Sequence, residues 1–183
     1  HEGRGNMRSA TVILAAAFFV DVLFTRFQPY LFNNLNMAET NVFLRGFSNI
    51  VLPVMMWVVA NWCFTTLFDG KGTASDIYTA TCYSLFPLVL FVPIILVVSQ
   101  VFTADAQSIY SAMITLVYVW IGFLLFSSTL TIHQFTFTKT IAMILLTLVG
   151  IAIIIFISLL CFTLLADIID FLSSIYKESF YKY

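Results

Sequence analysis

The sequence contains very few charged residues. Asp, Glu, Lys and Arg make up 9% of its 183 residues and the formal net charge is -1, whereas about a quarter of a soluble domain is charged. This scarcity excludes a soluble globular domain, and the lack of a basic run excludes a surface for nucleic acid. We therefore expect the chain to contact the lipid bilayer and no nucleic acid.

Residues that catalyse reactions or bind metals are also scarce. The chain has 2 histidines and 3 cysteines, and Cys63, Cys82 and Cys161 form no CxxC pair, so we expect small buried thiols. It has no HExxH or GxSxG motif and no Ser/His/Asp set within one loop. We expect no catalytic residue, no metal site and no cofactor, and we interpret the protein as a non-enzyme.

Long apolar runs dominate the sequence instead. Hydrophobic residues make up 61% of the chain, and its mean hydropathy is +1.01. Four charge-free runs cover 46–68, 77–104, 106–138 and 140–166, and a fifth run is interrupted only by Asp21. About 20 apolar residues cross a bilayer as a helix, and strands of about ten alternating residues are missing. The sequence predicts an all-α, polytopic membrane helical bundle with five transmembrane helices.

We expect one domain, 1–183, with spans at approximately 9–28, 46–68, 75–101, 107–131 and 139–166. The first span is not interpreted as a signal peptide, because no small-residue cleavage site and polar mature region follow it. Beyond the last span, apolar residues recur at helical spacing opposite Asp167, Asp170 and Ser174. This pattern predicts an interfacial helix extension over 167–177, which lies at the membrane surface or docks on a partner.

The stretch "DGKGT" joins the second and third spans and brings glycines, a lysine and an aspartate together. Gly70 stands where a helix ending near Asp69 favours a left-handed residue. Lys71 is expected to place its charge near the carbonyl end of that helix. Gly72 then gives the chain freedom to reverse.

Thr73, with Asp76 three residues later, predicts a capping box at the start of the third span. A phosphate-binding loop does not fit, because its GxxxxGK[ST] pattern requires a hydroxyl where Gly72 follows Lys71. The aspartates are not spaced as the ligands of a calcium-binding EF-hand. The stretch is therefore interpreted as a helix end, a turn and a capped helix start.

Several polar or helix-breaking residues fall within the apolar spans. Asn61 lies about 12 Å along the helix from Asp69, near the middle of a hydrocarbon core about 30 Å thick. Its amide predicts an interhelical hydrogen bond or, alternatively, a substrate ligand; Trp62 is expected to pack. Pro87 and Pro93 predict a bend in the third span, with nearby hydroxyls bonding freed carbonyls.

Asp21 and His133 are the intramembrane ionisable candidates. Asp21 lies five residues before Arg26, near the expected end of its span. An exposed or arginine-paired carboxylate there has a small free-energy cost in the membrane. The alternative is a functional role, because intramembrane carboxylates also mark functional sites. His133 lies in or beside the fourth loop and is interpreted as an interfacial hydrogen-bonding residue, with a catalytic role as the alternative.

Positive charges leave the orientation undecided. With five spans, the N-terminus shares a side with the second and fourth loops. The lysines and arginines divide equally between the two sides, namely Arg4, Arg8, Lys71 and Lys139 against Arg26, Arg45, Lys177 and Lys182.

A block across the second and third spans resembles the Yip (Ypt-interacting protein) domain family, specifically its bacterial branch. The pattern N-W…L…D-G-K-G-T…Y…P falls on Asn61, Trp62, Leu67, Asp69, Gly70, Lys71, Gly72, Thr73, Tyr83 and Pro87. The resemblance extends over essentially the whole chain and includes "FSSTLTIHQFTFTKTIAMILL" and "SSIYKE". It implies a five-helix integral membrane protein with a cytoplasmic N-terminus. It also makes eight residues candidates for partner contact: Asn61, Trp62, Asp69, Gly70, Lys71, Gly72, Tyr83 and Pro87.

Bacterial relatives resemble accessory proteins of sugar-uptake ABC transporters, and eukaryotic relatives bind Rab-type GTPases in vesicle traffic. The eukaryotic DLYGP-type signature is absent here, so a GTPase partner is not carried over. We expect a membrane scaffold or accessory subunit in a bacterial plasma membrane, bound to a membrane protein such as an ABC permease subunit or to further copies of itself. The alternatives are a small membrane transporter or channel, and a membrane-trafficking or membrane-shaping factor.

Overall fold

The computed structural model describes residues 6–28, 41–102 and 104–180, and in these ranges the chain forms helices and no strands. Its α-helices are α1 (Met7–Phe27), α2 (Val42–Gly46), α3 (Leu52–Leu67), α4 (Ala74–Ser84), α5 (Phe86–Ser99), α6 (Gln107–His133) and α7 (Phe137–Phe180). A π-helical turn, Phe47–Val51, joins α2 to α3, and a short 3-10 turn, Ala104–Ala106, precedes α6. The expected all-α architecture is confirmed.

Within the described ranges, five segments are long and apolar enough to cross a membrane: Met7–Phe27, Val42–Leu67, Ala74–Ser99, Gln107–His133 and Phe137–Lys177. Their directions alternate, so the start of α1, the α3–α4 turn and the α6–α7 loop meet at one end of the bundle. We call this end the turn face and define it as residues 6–8, 68–73 and 134–136. Contacts of Thr11 with Tyr78 (3.3 Å) and of Met7 with Ser75 (4.0 Å) join α1 to the start of α4 there.

The span formed by α4 and α5 lies at the centre and packs against α1, α3 and α6. It is broken at Leu85, so that Pro87 falls in the first turn of α5, where a proline ring is tolerated, and not in a helix interior. The hydroxyls of Thr81 and Ser84 donate to the carbonyls of Ile77 and Ala80 over 2.7 and 2.9 Å. Pro87 thus interrupts the span, as the sequence predicts, whereas Pro93 lies inside α5 without ending it. The two hydroxyls bond carbonyls within α4 rather than the carbonyls that the prolines free, so that part of the prediction is wrong.

The second span contains an irregularity caused by Pro53. The N–H of Leu52 bonds to the carbonyl of Phe47, five residues earlier, because the proline ring clashes with the carbonyl of Asn49, four residues before it. Within this wide turn Asn49 donates a long hydrogen bond of 3.4 Å to Asp21 on α1.

The last helix extends far beyond the bundle. α7 is an unbroken helix of 44 residues, about 66 Å long at 1.5 Å per residue, or about twice the hydrocarbon thickness. It packs against α3 as far as Gly150, where an added Cβ would collide with the ring of Phe64. Between 151 and 177 nearly every side chain is exposed. The helix does not break at Ala166, and a surface-lying position for 167–177 stays a prediction.

The connection from α3 to α4 closes one helix and caps the next. Asp69 has a φ of 59°, and the N–H of Gly70 donates to the Thr65 carbonyl over 2.7 Å, as in a Schellman motif. The left-handed residue is therefore Asp69, one position before the expected Gly70, because aspartate tolerates this conformation better than most residues do. The expected capping box of Thr73 and Asp76 is confirmed, with both reciprocal bonds present.

Replacing Thr73 with alanine should lower the free energy of unfolding by about 1 kcal/mol, because the Asp76 N–H loses its acceptor. Thr73→Ser keeps the hydroxyl and should unfold close to wild type. Thermal unfolding of the detergent-solubilised variants checks this, and equal losses for the two substitutions would contradict a capping role.

Candidate functional site

Two connections of the turn face are joined by direct hydrogen bonds. Lys71 Nζ donates to Oε1 of Gln134 over 2.8 Å, and Lys139 Nζ donates to the Phe68 carbonyl over 2.9 Å. Lys139 also lies 4.3 Å from the centroid of the Phe135 ring, within the range of a cation–π contact. The charge at the carbonyl end of α3 is therefore that of Lys139, whereas the sequence assigned this position to Lys71.

The α3–α4 turn also contacts the end of α6 through its glycines. The N–H of Gly72 donates to Nδ1 of His133 over 3.3 Å, and the His133 ring stacks on Phe135 with centroids 5.2 Å apart. A Cβ on Gly70 would lie 2.7 Å from Nδ1 of His133, and one on Gly72 would lie 2.8 Å from its Cε1 and would collide with Ile132. Both positions need glycine because the imidazole occupies the space where a side chain would be.

Below this contact lies a small, partly enclosed cavity between α3, α4 and α6, which we call the His133 cavity. Asn61 and His133 line it and are only 1% and 2% exposed. Its remaining lining residues are Trp57, Ile77, Ala80, Thr81, Ser128, Thr129 and Ile132. Two residues that the sequence singled out separately, Asn61 and His133, are therefore brought to one place. The interhelical hydrogen bond expected of the Asn61 amide is not formed within the described residues.

The size of the His133 cavity limits what can pass through it. Its volume is about 10 Å³, and a single water molecule needs about 10–15 Å³. The transporter alternative required an aqueous cavity that reaches Asn61. In the part of the chain that the structure describes, the amide instead lies against a space of about one water molecule, which counts against that alternative.

Among the partner-contact candidates, some are internal and others face outward. Asn61 and Pro87 are buried, and Gly70 and Gly72 pack on His133. The exposed candidates are Trp62, Asp69, Lys71 and Tyr83. Trp62 and Tyr83 lie on membrane-spanning helices, so only Asp69 and Lys71 are presented by the turn face.

Asp21 lies apart from this site. It is 9% exposed on α1, and besides its bond to Asn49 it interacts electrostatically with Arg45. The arginine that acts electrostatically on Asp21 is thus Arg45 rather than Arg26. The structure does not bring Asp21 to the His133 cavity.

The cysteines are dispersed. Cys82 is buried, but Cys63 and Cys161 are exposed on outer helix surfaces, so the expectation of three buried thiols is wrong for two of them; a lipid-facing thiol is tolerated because it is apolar. Among the described residues, no three His, Cys, Asp or Glu side chains are grouped so that they could hold a metal ion.

The Yip1 domain family matches residues 5–160. The chain belongs to the Yip1 family. The match includes the turn face, the His133 cavity and the first part of α7, so the Yip1 region contains every contact described above. No curated protein and no solved structure matches this Yip1 chain.

Sequence reasoning missed part of the site. It did not single out Lys139 or Gln134 in this Yip1 chain, although its span directions already placed the loop of Lys139 beside that of Lys71. Gln134 has a φ of 53° and ends α6, which no local motif indicates. Thr129, four residues before His133 on α6, lines the cavity because residues at this spacing share a helix face.

Gly72→Ala should lower the free energy of unfolding by about 1–3 kcal/mol, because its Cβ overlaps Ile132 and the His133 ring. Gly122 provides the matched control, since nothing lies within 4 Å of a Cβ added there. Gly122→Ala should leave the melting temperature unchanged or raise it. Equal melting temperatures for the two variants would contradict the close packing at His133.

Proposed function

We propose that this Yip1 protein is a non-catalytic membrane scaffold or accessory subunit that binds its partner through the turn face. The proposal rests on the hydrogen bonds that hold the α3–α4 turn against the α6–α7 loop. These bonds run from Lys71 to Gln134, from Lys139 to the Phe68 carbonyl and from Gly72 to His133. A surface held in one conformation before binding loses less conformational entropy when it binds.

The chemistry of the turn face supports recognition rather than catalysis. Its exposed polar groups are the carboxylate of Asp69, two cationic groups, two amides and two hydroxyls; the last three kinds belong to Arg8 and Lys71, Asn6 and Gln134, and Thr73 and Thr136. These groups can form charged and neutral hydrogen bonds with a partner. The Thr73 hydroxyl lies beside a carboxylate, that of Asp76, but both groups are engaged in the capping box of α4, which is a structural role.

We propose a membrane protein as the partner, specifically a permease subunit of a sugar-uptake ABC transporter, as the bacterial relatives imply. The length of α7 supports a partner within or beside the bilayer, because side chains from 151 to 177 are almost all exposed. Lipid alone can cover an apolar helix of this kind, and a second copy of the chain is another possible occupant. Capture experiments separate these three outcomes.

We further propose that the turn face lies in the cytoplasm of a bacterial cell. Lys71 and Lys139 lie in or beside its two connections, and Arg8 lies at the start of α1. Arg45 on the opposite side interacts with Asp21 inside the bundle and is less available as a loop charge. Arg26 and Lys177 are exposed on that opposite side, so charge alone does not choose the side; the proposal rests on the family resemblance, which implies a cytoplasmic N-terminus.

Lys71→Gln removes the ammonium and keeps a side chain that can donate a hydrogen bond. We expect nearly unchanged stability, because isolated surface contacts contribute about 0–1 kcal/mol. Recovery of the partner permease should fall about tenfold, as for the loss of one charge-assisted hydrogen bond of about 1.4 kcal/mol. The measurement is quantitative co-purification from native membranes in mild detergent.

Arg26→Gln removes an exposed positive charge in the last turn of α1, at the end of the bundle opposite the turn face, and serves as the control. It should leave recovery unchanged if the turn face is the binding surface. A chain that purifies as a monomer with no membrane protein would contradict the scaffold function. Equal recovery with wild type and Lys71→Gln would contradict the surface we assign.

A further inference from the structure

The His133 cavity contains two side chains whose hydrogen-bonding capacity is unused within the described residues. Nε2 of His133 and both side-chain atoms of the Asn61 amide are fully buried and have no hydrogen-bond partner. Leaving a buried polar group unpaired costs about 1–3 kcal/mol. Since both side chains line the same cavity, one small ligand can bond to both.

The bond from Gly72 determines which kind of atom the ligand must present to His133. The Gly72 N–H donates to Nδ1 over 3.3 Å, so Nδ1 carries no proton and the neutral ring carries its proton on Nε2. Nε2–H is therefore a donor. It requires an acceptor atom on the ligand, which a metal cation cannot supply.

The hydroxyls of the cavity impose the opposite requirement. Thr81 donates to the Ile77 carbonyl over 2.7 Å, and Thr129 donates to the Leu125 carbonyl over 2.8 Å. With their protons engaged, these oxygens can only accept. A ligand that fits must therefore both donate and accept hydrogen bonds.

We propose that the His133 cavity binds one water molecule, which accepts from His133 Nε2–H and bonds to the Asn61 amide. The volume of about 10 Å³ admits one water molecule, and buried waters typically make about three hydrogen bonds to groups of this kind. Water supplies both an acceptor and donors. The bound water connects the interior of α3 to the residue that holds the α3–α4 turn.

Solid-state NMR of the ¹⁵N-histidine-labelled full chain in lipid bilayers tests this on the unmodified protein. We expect the His133 proton on Nε2 and a through-space magnetisation transfer from water to that proton; the His133→Phe spectrum assigns the signal. A proton on Nδ1, or no transfer from water, would overturn the proposal. A His133 signal that shifts when sodium replaces potassium would instead indicate a cation and would also overturn it.

A double-mutant cycle supplies a second measurement that does not depend on partner capture. Asn61→Leu and His133→Phe each leave the water without one partner. The melting temperature of the double variant should therefore fall by less than the sum of the decreases for the two single variants. The control pairs His133→Phe with Thr147→Val, because Thr147 is buried, donates to Met143 over 2.8 Å and does not line the cavity. The decreases in melting temperature should add for this control pair. If the decreases for Asn61→Leu and His133→Phe also add, the proposal that both side chains bond to one water is overturned.

Discussion

Gly70 and Gly72 bring the backbone of the α3–α4 turn against the imidazole of His133, and the geometry of the turn face depends on this contact. Three consequences follow from the close approach. Nδ1 of His133 accepts a hydrogen bond from the Gly72 amide, and Lys71 comes within hydrogen-bond distance of Gln134. Nε2–H of His133 is left as a donor in the interior. A bulkier residue at either glycine would separate α3 and α4 from α6.

The membrane makes this contact more consequential than it would be in water. Interhelical packing in lipid depends on close approach and on polar bonds, because lipid tails are as apolar as the side chains. The central span of α4 and α5 is held by apolar packing on three sides. At the turn face, polar bonds add to this packing by joining the α3–α4 turn to the end of α6; others join α1 to α4 and to the π-helical turn.

The sequence was sufficient to predict the five spans, the break near Pro87 and the capping box at Thr73, because each is caused by local composition or spacing. It placed the left-handed residue one position late and assigned the helix-end cation to Lys71 instead of Lys139. Both errors arise because contacts across the bundle decide which residue adopts the left-handed conformation and which lysine reaches the end of α3.

The pairing of Asn61 with His133 in one cavity could not be predicted, since they are far apart in sequence and no motif links them. The π-helical turn had a signal in Pro53 that the span analysis did not use.

Amide hydrogen exchange at Gly72 tests the central contact most directly. An N–H in a turn of five or six residues normally exchanges quickly, but a bond to a buried imidazole requires local opening before exchange. We expect the Gly72 amide to exchange at least about tenfold more slowly than the Lys71 amide beside it, a difference of about 1.4 kcal/mol. Equal exchange rates for the two amides would contradict the contact on which the turn face depends.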